Sequence, residues 1–83
     1  MKPDKALLKH LLAILRRLAP GSIEESALSV ELEVAACRPL TTQQADDTRI
    51  FCAEKGWIAS RRDEFEQTRW WITDAGRTTL SSM

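Results

Sequence analysis

The side chains that carry most enzyme chemistry are few and scattered in this sequence. His10, the single histidine, sits among Leu7 and Ile14, where it could in principle serve as base to a cysteine nucleophile, Cys37 or Cys52. No nucleophile motif surrounds either cysteine and no glycine-rich phosphate loop is present. A chain of 83 residues also has little room for a catalytic pocket, so His10 reads as a rim or core residue and the chain as a non-enzyme. The two cysteines are too far apart for a C-x-x-C motif and too few for a disulfide framework or a four-ligand zinc site. Buried free thiols, with no metal and no cofactor, are therefore expected. The adjacent acids Glu24-Glu25, Asp46-Asp47 and Asp63-Glu64 point to different faces of a helix and read as solvated charge rather than as an acid–base pair or a cation site.

Charge is the next informative pattern. Twelve basic and twelve acidic residues give a formal net charge of zero, without the basic excess of a strong nucleic-acid binder. The distribution is uneven. Between Glu24 and Asp47 six acids (Glu24, Glu25, Glu31, Glu33, Asp46, Asp47) face one base, Arg38, a local charge of minus five. Basic residues gather instead near the N-terminus (Lys2, Lys5, Lys9, Arg16, Arg17) and in the second half (Lys55, Arg61, Arg62, Arg69).

Hydrophobic residues make up 43% and charged residues 29%, a composition that folds and whose length suits one domain over residues 1–83. Lys9, His10, Arg16 and Arg17 interrupt the only apolar stretch of any length, well short of the roughly 18 residues that span a bilayer. That stretch also lacks the order of a signal peptide, so a cytoplasmic protein without a membrane partner is expected.

Five elements emerge from periodicity and capping. Pro3 and Asp4 suit a helix start, and Leu7, Leu8, Leu11, Ile14, Leu15 and Leu18 recur at helical spacing as far as about Ala19, where Pro20-Gly21 stops the helix. From Ser22 to Ala36 two patterns compete. Ser22-x-x-Glu25 is a capping box and Leu28, Leu32 and Ala35 share a helical face, yet residues 28–34 alternate like a strand. Length, the absence of an internal turn residue and flanking alanines favour a helix. Cys37-Arg38-Pro39-Leu40 is a tight connection, and Thr41-x-x-Gln44 opens a third helix that runs to Lys55 and stops at Gly56. Trp57 to Arg61 and Gln67 to Ile72 are rich in β-formers around the charged loop 62–66 and predict a hairpin, after which Thr73 caps a short helix through Leu80. Alternation places Trp70 and Ile72 on one hairpin face and Arg69 and Trp71 on the other, so one of the adjacent tryptophans stays partly exposed.

Three helices, a two-stranded hairpin and a short last helix give a mainly helical α+β fold in the order of a winged helix. Glu54-Lys55-Gly56-Trp57-Ile58 resembles the passage from a third helix into the wing, and Trp71-Ile72-Thr73-Asp74-Ala75-Gly76-Arg77 the exit from the wing into a last helix. Over roughly residues 7 to 80 the sequence resembles the winged helix-turn-helix superfamily, in particular small transcription regulators of bacteria and prophages. The resemblance implies double-stranded DNA as a partner, with the third helix in the major groove and the wing on the adjacent backbone or minor groove. Matched position by position, it aims Thr42, Gln43, Asp46, Asp47, Arg49 and Ile50 of the third helix at the groove. Of all the matched residues and their neighbours, Gln43, Gln44, Arg49, Arg61, Arg62 and Arg69 are the expected contacts. Asp46 and Asp47 depart from such a surface, since carboxylates repel phosphates. A protein-interaction module is the competing reading, with Ile50, Phe51 and Trp71 forming an exposed apolar patch that anchors a second copy or another protein.

Overall fold

The computed structural model describes residues 4–83; Lys2 and the Pro3 expected in the first helical turn lie outside the described residues. Helix α1, Lys5–Leu18, starts at Asp4, whose side chain accepts the Ala6 N–H at 2.8 Å. Its buried residues are Leu7, Leu8, Leu11, Leu12, Ile14 and Leu15. Leu12 is buried and Leu18 exposed, against the single-stripe expectation, because α1 is the central element: α2, the third and fourth helices and the sheet all pack on it. A helix covered on several sides needs more than one apolar stripe.

After the Pro20-Gly21 turn the chain forms a short strand, β1 (Ile23–Glu24), before α2 (Glu25–Ala36). The expected Ser22–Glu25 capping box does not form. Glu24 occupies the cap position without a side-chain bond to the helix backbone, while Ser22 and Glu25 serve the hairpin strand far along the chain. In α2, Leu28 and Leu32 are buried, whereas Val30 and Val34 are 61% and 68% exposed. The strand-like alternation thus arises from two i,i+4 pairs on opposite sides of one helix.

Cys37 ends α2 in the left-handed conformation (φ 57°). Helix α3, Thr42–Glu54, opens with the predicted capping box, in which Thr41 Oγ1 accepts the Gln44 N–H and Gln44 Oε1 the Thr41 N–H, both at 3.0 Å. Gly56, with φ 76°, turns the chain into β2 (Ile58–Arg62), and loop 63–67 leads into β3 (Thr68–Ile72). The sheet has three antiparallel strands in the order β1-β3-β2 rather than the two expected. Registers Ile58–Ile72, Ser60–Trp70 and Ile23–Trp70 put those apolar side chains on the core face. The last helix, α4 (Asp74–Ser82), starts at Thr73, whose Oγ1 accepts the Gly76 N–H at 3.1 Å and donates to the Gly56 carbonyl at 2.6 Å.

Gly76 shows how tightly α4 seats on the hairpin. A Cβ there would overlap the Trp57 carbonyl and crowd Ile72. The obstacle is backbone, already held by the Thr73 N–H at 3.0 Å, so it has little freedom to retreat. Gly76→Ala is expected to lower unfolding free energy by about 1–3 kcal/mol despite its better helix propensity, seen as a lower urea midpoint with unchanged m.

Candidate nucleic-acid interface

The hairpin carries two faces by alternation. Ile58, Trp70 and Ile72 face the core, and Ala59 and Arg61 of β2 share the outer face with Arg69 and Trp71 of β3. Arg61 and Arg69 lie directly opposite each other in register, an arrangement that repels unless one guanidinium is drawn aside. Ser22 does this: its hydroxyl accepts Arg69 Nε at 2.9 Å and its carbonyl accepts Arg69 Nη2 at 3.0 Å. Arg61 and Arg62 stay exposed, and neither makes an ion pair among the described residues. The loop beyond them is organised by Asp63, whose Oδ1 accepts the N–H groups of Phe65 and Gln67 at 2.9 and 3.0 Å. Phe65 projects from this tip, 76% exposed.

On α3 the expected contact residues separate by role. Gln43 is exposed in the first turn. Gln44 is engaged in the capping box. Arg49 is tucked in, its side chain 12% exposed, with Nε 3.2 Å from Glu25, Nη2 2.8 Å from Asp46, and the guanidinium 5.7 Å from the centre of the Trp70 ring. Glu25 in turn accepts the Trp70 indole N–H at 3.1 Å. These contacts alter the charge picture drawn from the linear sequence. Arg49 partners Glu25 and Asp46, and Arg17 of α1 lies 3.3 Å from Glu31, so three of the six acids meet cations from outside the window 24–47.

The expected apolar patch is divided. Ile50 is exposed on α3, but Phe51 is half-buried and meets Trp57 edge to face at 5.8 Å. Trp71 lies on the outer face of the sheet, where it lines a depression of about 330 Å³ with Pro20, Ser22, Arg61, Asp63 and Arg69. Lone exposed apolar residues at Val30, Val34 and Phe65 went unread in the sequence. Phe65 was detectable as the one apolar residue in a charged loop, whereas the role of Ser22 depends on a partner 47 positions away.

The cysteines differ from expectation in one respect. Cys52 is buried, but Cys37 is exposed, because the left-handed residue that ends α2 turns away from the core. Burial pushes the Cys52 thiol up to about 12, far above the range of a reactive thiolate. No group of three or more potential metal ligands occurs among the described residues, and none of their helices is long and apolar enough to cross a membrane.

Comparison with known proteins adds the fold. No protein-family model and no curated protein matches the chain. Among solved structures, RosR of H. salinarum superposes with a TM-score of 0.79 at 15% identity, over 95% of this chain and 69% of that one. F-93 of SSV1 does so at 0.74 with 22% identity, over 98% and 84%. The fold is a winged helix. PadR of Bacillus subtilis, solved in complex with operator DNA, gives 0.73 at 18% identity over 98% of this chain and 47% of PadR, so the chain spans about half of that protein. Within this winged helix, α2 and α3 form the helix-turn-helix, β2 and β3 the wing, and β1, just before α2, pairs with β3.

The Cys52 thiol gives a pH prediction. Its folded value, about 12, lies above the ordinary value of 9.0, so the unfolded chain releases this proton first. The contribution to stability is complete below pH 9 and is lost as pH rises from 9 toward 12, at a limiting slope of about 1.4 kcal/mol per pH unit. Urea midpoints between pH 8 and 11 should fall more steeply for the natural protein than for Cys52→Ala; parallel curves would disprove the assignment.

Proposed function

We propose that this winged helix is a DNA-binding transcriptional regulator of the bacterial or prophage type, a single domain that acts in the cytoplasm as a homodimer. The observation that carries the reading is the pair Arg61 and Arg62, exposed on the wing without ion-pair partners among the described residues, on a fold it shares with a protein solved on its operator. Free guanidiniums of this kind neutralise phosphates and release counterions. The exposed Gln43 in the capped first turn of α3 adds an amide that can pair with adenine, beside backbone N–H groups suited to a phosphate. Arg49 and Arg69 act by position: Arg49 holds α3 against α2 and Trp70, and Arg69 holds the wing to Ser22 in the turn before β1. Gln44 sets the start of α3. Loss of binding in an Arg61→Ala, Arg62→Ala double variant is the test. Fluorescence anisotropy with mixed-sequence duplex should show weaker binding and a log–log salt slope shallower by about two for two lost phosphate contacts. Unchanged binding and slope would remove the wing from the interface.

A second reading has its own observation. Val30, Val34 and Ile50 are all exposed on the helix-turn-helix, and Trp71 is only half-buried, as expected of a module that pairs with itself or with another protein. If Trp71 anchors the homodimer, Trp71→Ala should lower the weight-average mass in sedimentation equilibrium toward that of one chain. An unchanged mass would exclude Trp71 from any such interface.

A further inference from the structure

Beyond Gln43 the outward stripe of α3 runs through Asp47, Ile50 and Glu54, one helical face by its steps of three and four residues. Ile50 is 49% exposed, Glu54 is exposed and Asp47 half-buried, and neither carboxylate has an ion pair among the described residues. No cation offsets them on that face. Arg49 is turned to Glu25 and Asp46, and Lys55, just past the helix, lies over the Phe51 ring. The outward stripe of α1 has the opposite character. It runs through Lys9, Ala13 and Arg16, with Lys9 and Arg16 exposed, Ala13 half-buried, and no acid anywhere between Lys5 and Leu18. Lys9 and Arg16 also lack ion pairs among the described residues, whereas the neighbouring Arg17 is drawn to Glu31. Inside the chain α1 and α3 already pack on each other through their buried residues, so these two outward faces can meet only between copies.

We propose that α3 of one copy docks antiparallel on α1 of a second copy, with Asp47 on Arg16, Ile50 on Ala13 and Glu54 on Lys9. The spacings carry the proposal. Along α3 the steps from acid to apolar side chain to acid are three and four residues, and backward along α1 from Arg16 the steps from cation to small side chain to cation are also three and four. Each set covers about 10 Å at ~1.5 Å per residue, so all three pairs stay in register over two helical turns. A parallel pairing of the same charges fails, because it would aim Ile50 at position 12, whose leucine is buried in the core. Ala13 opposite Ile50 lets the helix axes approach closely, a large side chain filling the space beside a small one. Exposed ion pairs add little affinity, so the charges fix orientation and register, and the small contact gives a weak, salt-sensitive association. The surface rests on the homodimer reading and deepens it, on helices rather than at Trp71 on the sheet.

Sedimentation of the natural chain at low ionic strength, up to about millimolar concentration, should show reversible association that disappears in about 1 M salt. A Lys9→Glu, Arg16→Glu variant and an Asp47→Lys, Glu54→Lys variant should each associate at least about tenfold more weakly, since each sets like charges against each other. An equal mixture of the two should regain the association of the natural chain, because each variant keeps the face that the other has lost. Ile50→Ala, which leaves every charge in place, should weaken association about fivefold. The substituted positions lie outside the core, and recovery on mixing requires both variants to be folded. Charge variants that associate like the natural chain, or a mixture no better than its components, would overturn the proposal and leave the homodimer reading standing. A natural chain that stays monomeric throughout would overturn both.

Discussion

The guanidinium of Arg49 lies between the carboxylates of Glu25 and Asp46 and against the ring of Trp70, whose own indole N–H returns to Glu25. Three elements of the winged helix, α2, α3 and β3, meet at that closed cluster. A charge largely covered from water is tolerated when paired, and Arg49 has two carboxylate partners. The relative placement of the helix-turn-helix and the wing follows from it. With Glu25 turned toward β3, the chain before it is drawn alongside that strand, which explains why Ile23 and Glu24 pair in register with Trp70 and Arg69 instead of forming a helical turn.

The same economy of charge governs the surface. In linear order the helix-turn-helix is a block of acids, a poor match to a polyanion. In three dimensions Arg49 and Arg17 take up part of that block, while on the wing Arg69 is bonded to Ser22 and Arg61 and Arg62 are exposed without ion pairs among the described residues. Glu24, Glu33 and Asp47 remain as carboxylates of that block without ion pairs among the described residues. The wing itself is balanced, with Asp63, Glu64 and Glu66 against Arg61, Arg62 and Arg69, so what it presents is an exposed arginine pair beside an acidic tip.

The outer face of the sheet shows how a small domain builds a concave site. The bond pair from Arg69 to Ser22 joins the wing to the turn after α1, and the space between them is the depression beside Trp71. Because the two walls come from opposite ends of the chain, the site exists only when β1 is docked on β3. The shape of the depression and the placement of the wing are therefore coupled through one three-stranded sheet.

The amino-acid sequence by itself determined whatever depends on neighbours within a turn or two. Helix α1, the Thr41–Gln44 capping box, Gly56 at a positive φ, the hairpin with Trp70 and Ile72 on one face, and Thr73 at the start of α4 are all local signals, and each is found, with the α1 stripe shifted to bury Leu12 and expose Leu18. Tertiary structure decided the rest. Strand β1 has two residues and no periodicity of its own, and its hydrogen bonds exist only once β3 lies beside it. Arg49 and Arg69 look like free surface cations in the sequence. They become internal ties because their partners, Glu25 and Ser22, are brought close by packing of distant segments, an effect that no local pattern of residues encodes.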